Sequence, residues 1–412
     1  MIKNKHKESV FLIILCIIFL LPDSLYHNFK ISSFSLSTMC SIFLTLLILA
    51  KIKISKVIVY MILITLSIIY IHAIINPKVS LLDIFTIKFI LSAVSLIILM
   101  YTAGQLSYYI VNLPPSVIEK TFKHLFYILL IIGFSSALLI YISDMKNKSM
   151  IFFSEPSAYA LIFSPIYAIF LYSAKRNHSL IIICISIALA LFIENLTLLI
   201  GIIFSTLLVK KIKLIYLLIS ILTLSIVILY NIGNDKISYF TERLDLSNTT
   251  NISTLVYLSG LEKAYLDIND SLGIGVGFQK MGEHTIIGSN QIALQKLDSE
   301  NLNKFDGSFI SSKLISEFGI LGLLFSILYI FSALKIFIHF KSTPPNNIYE
   351  LIFKIYYIMF TIPLFIRGSG YINPYVFMFF VAFIGLRVTI PKNLKLFPTG
   401  YKDENINNNS NL

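Results

Sequence analysis

The chain has 412 residues, of which 57% are hydrophobic and 13% charged, and a formal net charge of +12. Soluble globular domains carry about 25% charged residues, so this composition excludes a soluble globule and indicates an integral membrane protein. The basic residues sit in short groups between apolar runs rather than on one clustered face, which excludes a nucleic-acid surface and reads as a topology signal.

Lys3, Lys5 and Lys7 precede an apolar run ending at Leu21, with no small-residue cleavage site after it. These are the basic and apolar parts of a signal peptide, read here as an uncleaved first span. Crossing a hydrocarbon core of ~30 Å takes about 20 apolar residues. Runs at 9–21, 33–50, 56–75, 81–103, 121–143 and 157–173 give six spans. The stretch 179–209 is too long for one ordinary helix and short for two, and with Glu194-Asn195 at its middle it reads as a tight hairpin. Runs at 214–231, 308–340, 349–366 and 374–388 bring the total to twelve, the second of them long enough to begin as a surface helix.

The expected fold is an all-α polytopic membrane protein of about twelve transmembrane helices, with one large outer loop between spans 9 and 10. Residues 1–231 hold spans 1–9, 232–307 form the outer loop, 308–389 hold spans 10–12, and 390–412 form a cytoplasmic tail that is asparagine-rich over 403–412. Cys16, Cys40 and Cys184 lie in apolar segments without paired spacing or nearby histidines, so no metal site is expected.

Basic residues near spans are retained in the cytoplasm. Alternate ends of the spans carry nineteen Lys and Arg on one side, from Lys3 to Lys402, against Lys30, Lys78, Lys146, Lys148 and Arg367 in the short loops of the other. This places both termini in the cytoplasm and the 76-residue interval 232–307 outside. A single crossing at 179–209 would put Lys210, Lys211 and Lys213 outside and invert every later loop, which favours two crossings. Within the outer interval, Leu255, Leu258, Leu261, Tyr265 and Ile268 recur at helical spacing, predicting an amphipathic helix over 254–267 that lies on the membrane domain.

Charges at the membrane are costly and point to function. Four outer places stand out. Glu155 precedes Pro156 at the mouth of the sixth span, either as a helix start favoured by the dipole or as a carboxylate facing a polar cavity. Arg243, between Glu242 and Asp245, suits two-pronged phosphate binding or local pairing. Gly273, Gly275 and Gly277, followed by Lys280 and His284, allow close backbone approach to an anion or form a plain turn. Arg367, in Arg367-Gly368-Ser369-Gly370-Tyr371, is a lone cation on the side that excludes them, suited to an anionic headgroup or to snorkelling. Together these offer cations for a pyrophosphate and carboxylates plus a histidine for a proton, a combination suited to glycosyl transfer from a lipid pyrophosphate to a hydroxyl.

Over nearly its whole length the chain resembles the O-antigen polymerases of the Wzy type, which share a superfamily with the O-antigen ligases. The resemblance rests on the many spans with one large late outer loop, Phe153-Ser154-Glu155-Pro156-Ser157, Leu272-Gly273-Ile274-Gly275-Val276-Gly277-Phe278, and Glu317-Phe318-Gly319-Ile320-Leu321-Gly322. It implies an inverting membrane glycosyltransferase of the bacterial inner membrane that joins oligosaccharide repeat units carried on undecaprenyl pyrophosphate, without metal, nucleotide or other cofactor. The expected partners are that lipid-linked oligosaccharide and the bilayer, with a chain-length regulator and a flippase beside them. The resemblance places Arg243 and Arg367 on the donor pyrophosphate and Glu155 as an orienting or activating group. Asp306 stands near where the ligases carry a catalytic histidine, and Asp306, His284 and Glu155 remain alternatives for the base. A second arginine common before the glycine cluster is replaced here by Thr254-Leu255-Val256-Tyr257.

Two other functions compete. An O-antigen ligase acting on lipid A core would share the fold and the donor, but the absence of a histidine near Asp306 favours a polymerase. A polysaccharide flippase or transporter fits twelve spans, yet such carriers are usually built from matching halves around a mid-membrane site. This chain divides asymmetrically after its ninth span and carries its polar residues outside.

Overall fold

The computed structural model describes residues 2–52, 55–143, 150–210, 251–283, 286–297, 299, 302 and 304–389. Among these residues all regular structure is helical. An apolar chain has this outcome built in, because a helix satisfies its backbone within one segment, as a bilayer requires. Numbered in chain order among the described residues, the first half comprises α1 (Ile2–Phe19), α2 (Leu21–His27), α3 (Phe34–Leu49), α4 (Lys56–Ile75), α5 (Leu81–Ile84), α6 (Ile87–Val111), α7 (Pro115–Ser143), α8 (Pro156–Ser173), α9 (Arg176–Phe192) and α10 (Leu196–Val209). After residue 250 come α11 (Ile252–Asp270), α12 (Ser289–Lys296), α13 (Ile310–Phe318), α14 (Ile320–Ser342), α15 (Ile348–Met359), α16 (Thr361–Phe365) and α17 (Pro374–Thr389).

Among the described residues, six helical segments are long and apolar enough to cross a membrane: α4, α6, α7, α8, α14 and the pair α15–α16. A seventh arises if α1 and α2, which meet at a 41° bend, are taken as one. The runs expected at 33–50, 179–209 and 374–388 form shorter apolar helices, and the run expected at 214–231 lies outside the described residues. α4 and α14 leave most of their apolar surface uncovered, with Leu63, Ile64, Leu328 and Phe331 each more than half exposed. Such all-round apolarity suits helices bathed in lipid, whereas α8 is almost wholly sheathed by its neighbours.

Side-chain bonds sort the helix ends into two sets. At one end Lys210 Nζ donates to Ala174 O at 3.0 Å and Lys341 Nζ to Lys210 O at 3.1 Å, joining the last turns of α8, α10 and α14. Cations at the C-termini of helices complement their dipoles. Tyr349 at the start of α15 donates to Leu113 after α6 at the same end. At the other end Asn28 donates to Ile151 O at 3.3 Å, Asn76 to Gly275 O at 2.8 Å, and Arg367 reaches Glu155.

The 179–209 stretch breaks where expected. Asn195 caps α10 through Leu198 N at 2.7 Å, and Glu194 turns the chain with φ of 52°. Ser205 Oγ donates to Ser164 O at 3.0 Å and Tyr167 pairs with Thr206 at 2.9 Å, so residue numbers rise together along α8 and α10. The two helices therefore run parallel, and the chain reverses twice between them through α9. The 308–340 run is likewise two helices, divided at Gly319 with φ of 56°.

The helix expected over 254–267 is present as α11, but its buried face matches the expected leucine stripe only at the start. Of the expected stripe Leu255 is fully buried, but Leu261 and Tyr265 are 44% and 65% exposed, and the rest of the buried face is Val256, Gly260, Ala264 and Asp267. The reason is the partner: α11 packs on α13 and the strand of chain before it, where Ser308 and Ser316 meet Gly260 and Asp267. Small and polar residues permit that close approach, and they rotate the helix away from its bulkier stripe.

Candidate functional site

Glu155 is delivered by the segment before α8. Pro156 takes the first helical position, where a missing N–H costs nothing, and Glu155 precedes it in extended conformation. Its carboxylate does not cap the helix. Both oxygens accept from Arg367 Nη2, at 2.8 and 2.9 Å, and Arg367 Nε points at Ser157 Oγ at 3.4 Å. Arg367 Nη1 donates to no described residue, so part of its fork is available to an anion.

The loop carrying Arg367 is tied to the segment before α13. Gly368 N donates to Ser308 O at 3.1 Å and Gly370 N to Asp306 O at 3.0 Å. These backbone bonds bring Asp306 beside the arginine across some sixty positions of sequence. Glu155, Asp306 and Arg367 then line one cavity of about 400 Å³ at the end of the bundle opposite Lys210 and Lys341. Ser154, Ser253, Ser369 and Tyr375 supply hydroxyls, and Phe34, Leu161, Ile162 and Val256 supply apolar wall. Small-molecule sites commonly combine such an apolar lining with a few convergent polar groups.

Asp23 is the fourth charged member of the wall and was not nominated from the sequence. It is 1% exposed, on α2 just beyond the expected first span, and its Oδ1 accepts from Ser154 N at 3.2 Å and Ser154 Oγ at 2.6 Å. Burial pushes its carboxyl up to about 6, against the two Ser154 bonds, and the neighbouring charge of Glu155 adds to the rise. The signal was available: Leu21-Pro22-Asp23 places a lone carboxylate at a span end, as Glu155-Pro156 does. For Arg367, burial pulls the pKa down, but the charge and hydrogen bonds of Glu155 more than compensate and raise it.

Among the described residues lining the cavity, three carboxylates face one cation. An anionic ligand there meets Arg367 and hydroxyl donors, while a hydroxyl ligand meets several proton acceptors.

The other nominated residues lie elsewhere. The amides from Gly273 to Gly277 all donate within the protein: Gly273 N to Ile268 O, Ile274 N to Ser271 O, Gly275 N to Ser271 Oγ, Val276 N to Ser316 O and Gly277 N to Glu317 O. The cluster thus presents no amide to an anion. Its glycines answer a packing need, since φ is 89°, 92° and 105° and a Cβ on Gly275 would stand 2.5 Å from Gly319 N. Lys280 pairs with Asp83 at 2.6 Å and does not line the cavity. Both side chains of that pair are about a quarter exposed, so Lys280→Ala is expected to lower the thermal midpoint of the solubilised protein by less than about 3 °C. Arg243 and His284 lie outside the described residues.

Behind Asp306 sits a buried pair also missed from the sequence. Lys313 is 2% exposed, 3.5 Å from Glu317 Oε1 and 3.9 Å from Asp306 Oδ1, and it donates to Phe305 O. Glu317 accepts from Tyr371 at 2.9 Å and from Met281 N at 3.4 Å. Burial raises the Glu317 carboxyl, and Lys313 is the main influence pulling it back. The pair joins α13 to the loop that carries Arg367 and Tyr371 and supports the turn that carries Asp306. No protein family, no curated protein and no solved structure matches the chain.

Proposed function

We propose that the chain is a polysaccharide polymerase of the Wzy type. On this reading it is an inverting glycosyltransferase that joins undecaprenyl-pyrophosphate-linked repeat units at the outer face of the bacterial inner membrane. The observation that supports it best is the convergence of Glu155, Asp306 and Arg367 on one cavity. They come from three separate outer segments, and the cavity lies opposite the end gathered by Lys210 and Lys341. The reading carries with it twelve spans, cytoplasmic termini and a periplasmic cavity.

In the proposed reaction a sugar hydroxyl of the incoming unit attacks the anomeric carbon of the growing chain. The bond from that carbon to the pyrophosphate oxygen breaks, and the lipid pyrophosphate leaves with the electron pair. Arg367, held by Glu155, binds the leaving pyrophosphate through its outward N–H groups, where charge develops. A cavity carboxylate takes the proton of the attacking hydroxyl.

Deleting the gene is expected to leave surface glycans capped with a single repeat unit, read on a glycan gel. Loss of all surface glycan with lipid-linked units trapped inside would indicate a flippase instead. Long chains accumulating on the lipid carrier would indicate a ligase.

A further inference from the structure

The geometry points to Asp23 as the group that takes the proton from the attacking hydroxyl, an assignment that rests on the glycosyl-transfer reading above. Three carboxylates line the cavity, and their surroundings differ. Both oxygens of Glu155 are engaged by Arg367, so taking a proton there would weaken the grip on the cation that faces the pyrophosphate. Asp306 has a side chain 55% exposed at the lip, 3.9 Å from Lys313, and water competes with any hydroxyl there. Asp23 is sheltered in the wall. Its Oδ1 is fixed by two donors from Ser154, and its Oδ2 accepts no hydrogen bond from a described residue.

One oxygen anchored and the other without a described donor, on a carboxylate sheltered in the wall of an open cavity, is the arrangement a general base requires. The adjoining residues Ser154 and Glu155 set the two functions side by side. Ser154 holds the base, and Glu155 holds the arginine that receives the leaving group. The charged and titratable groups facing Asp23 are Glu155 before α8, Arg367 from the last outer loop, Asp306 across the cavity, Tyr26 on α2 and Tyr375 on α17. α1 and α3, packed on α2, bring no charged side chain to this end. The step balances: the hydroxyl proton passes to the Asp23 carboxylate as the new carbon–oxygen bond forms, and the carbon–oxygen bond to the pyrophosphate breaks with its electrons on the departing oxygen. Turnover then needs Asp23 to release that proton to the outside, through the open cavity.

The test uses the purified full chain in phospholipid vesicles, supplied with lipid-linked repeat units extracted from cells that lack it. Asp23→Asn keeps an acceptor oxygen for Ser154 and is expected to lower chain extension at least ~100-fold at pH 7.5 with unchanged yield. The wild-type rate is expected to fall about tenfold per pH unit below roughly pH 6, as Asp23 becomes protonated. Ser154→Ala removes a donor that favours the carboxylate and is expected to move that acid limb to higher pH. Asp23→Glu, should the asparagine variant not fold, is expected to keep an acid limb at a reduced rate. Asp23→Asn within tenfold of wild type, an acid limb that Ser154→Ala leaves in place, or an Asp23→Glu with full rate and no limb would overturn the assignment. If Asp23→Asn is active while Arg367→Ala is not, the role of Asp23 alone fails. If the wild type extends no chains at all, the glycosyl-transfer reading fails and the assignment with it.

Discussion

Replacing Arg367 by alanine is expected to end chain extension, lowering turnover by about 10²–10³, the loss seen when one preorganised donor to a developing oxyanion is removed. The guanidinium is held at a defined angle by both Glu155 oxygens and by Ser157, so its remaining N–H groups are aimed before any ligand arrives. Lysine is expected to fail nearly as completely, because a point charge cannot hold Glu155 and an anion through separate prongs of one plane. The fold is expected to survive. The paired side chains are 27% and 47% exposed, so breaking the pair costs nearer the ~1 kcal/mol of a surface bridge than the ~3–5 kcal/mol of a buried one. The measurement is the glycan gel pattern at matched protein level. Long chains from the Arg367→Ala variant would remove the pyrophosphate clamp from the proposal. Arg243, assigned to the same clamp by resemblance, is expected to behave alike when replaced by alanine.

The largest stability effect is expected from Gly319→Ala. This residue closes α13 and opens α14 with φ of 56°, a conformation costing a residue with a Cβ about 1–3 kcal/mol. A Cβ there would also stand 2.0 Å from Gly273 O and 2.5 Å from Ile274 C, and these are backbone atoms with no rotamer to yield. Overpacking of this kind adds about 1–3 kcal/mol, so a total of about 3 kcal/mol or more is expected. Gly370→Ala is the comparison. Its φ is also positive, at 55°, but its nearest obstacle is the Asp306 carboxylate at 3.1 Å, a side chain able to move. Denaturant unfolding in detergent is expected to rank Gly319→Ala well below Gly370→Ala. Equal stabilities would show that the contact between the glycine cluster and the α13–α14 junction is not formed.

How much of this was legible beforehand depended on whether the signal was local. Helix type, the break at Glu194-Asn195 and the entry into α8 at Pro156 followed from local apolar length and turn chemistry. Glu155, Arg367 and Asp306 stood out because each is a charge or a turn beside an apolar run. That they share a cavity was not legible, since the link is made by backbone bonds between residues 306–308 and 368–370. The glycine cluster misled for the complementary reason. Three alternating glycines mean that backbone comes close, and sequence alone does not say whether the approaching partner is a ligand or another stretch of the chain. Here it is residues 316–320. Periodicity misled on α11 because the packed face carries Gly260, Ala264 and Asp267, residues that score weakly or negatively as apolar.

The end of the bundle where Lys210 and Lys341 reach carbonyls of neighbouring helices has a mechanical consequence. A carrier that works by alternating access must open both mouths in turn, which here would mean parting α8, α10 and α14 where charged side chains staple their final turns. The opposite mouth is framed by loops and short segments, among them α2 and the chain around Asp306 and Arg367. On the polymerase proposal, a bulky glycan would be admitted by loop movement at that face, without parting the stapled end. That is the mobility expected of an enzyme with a single vestibule.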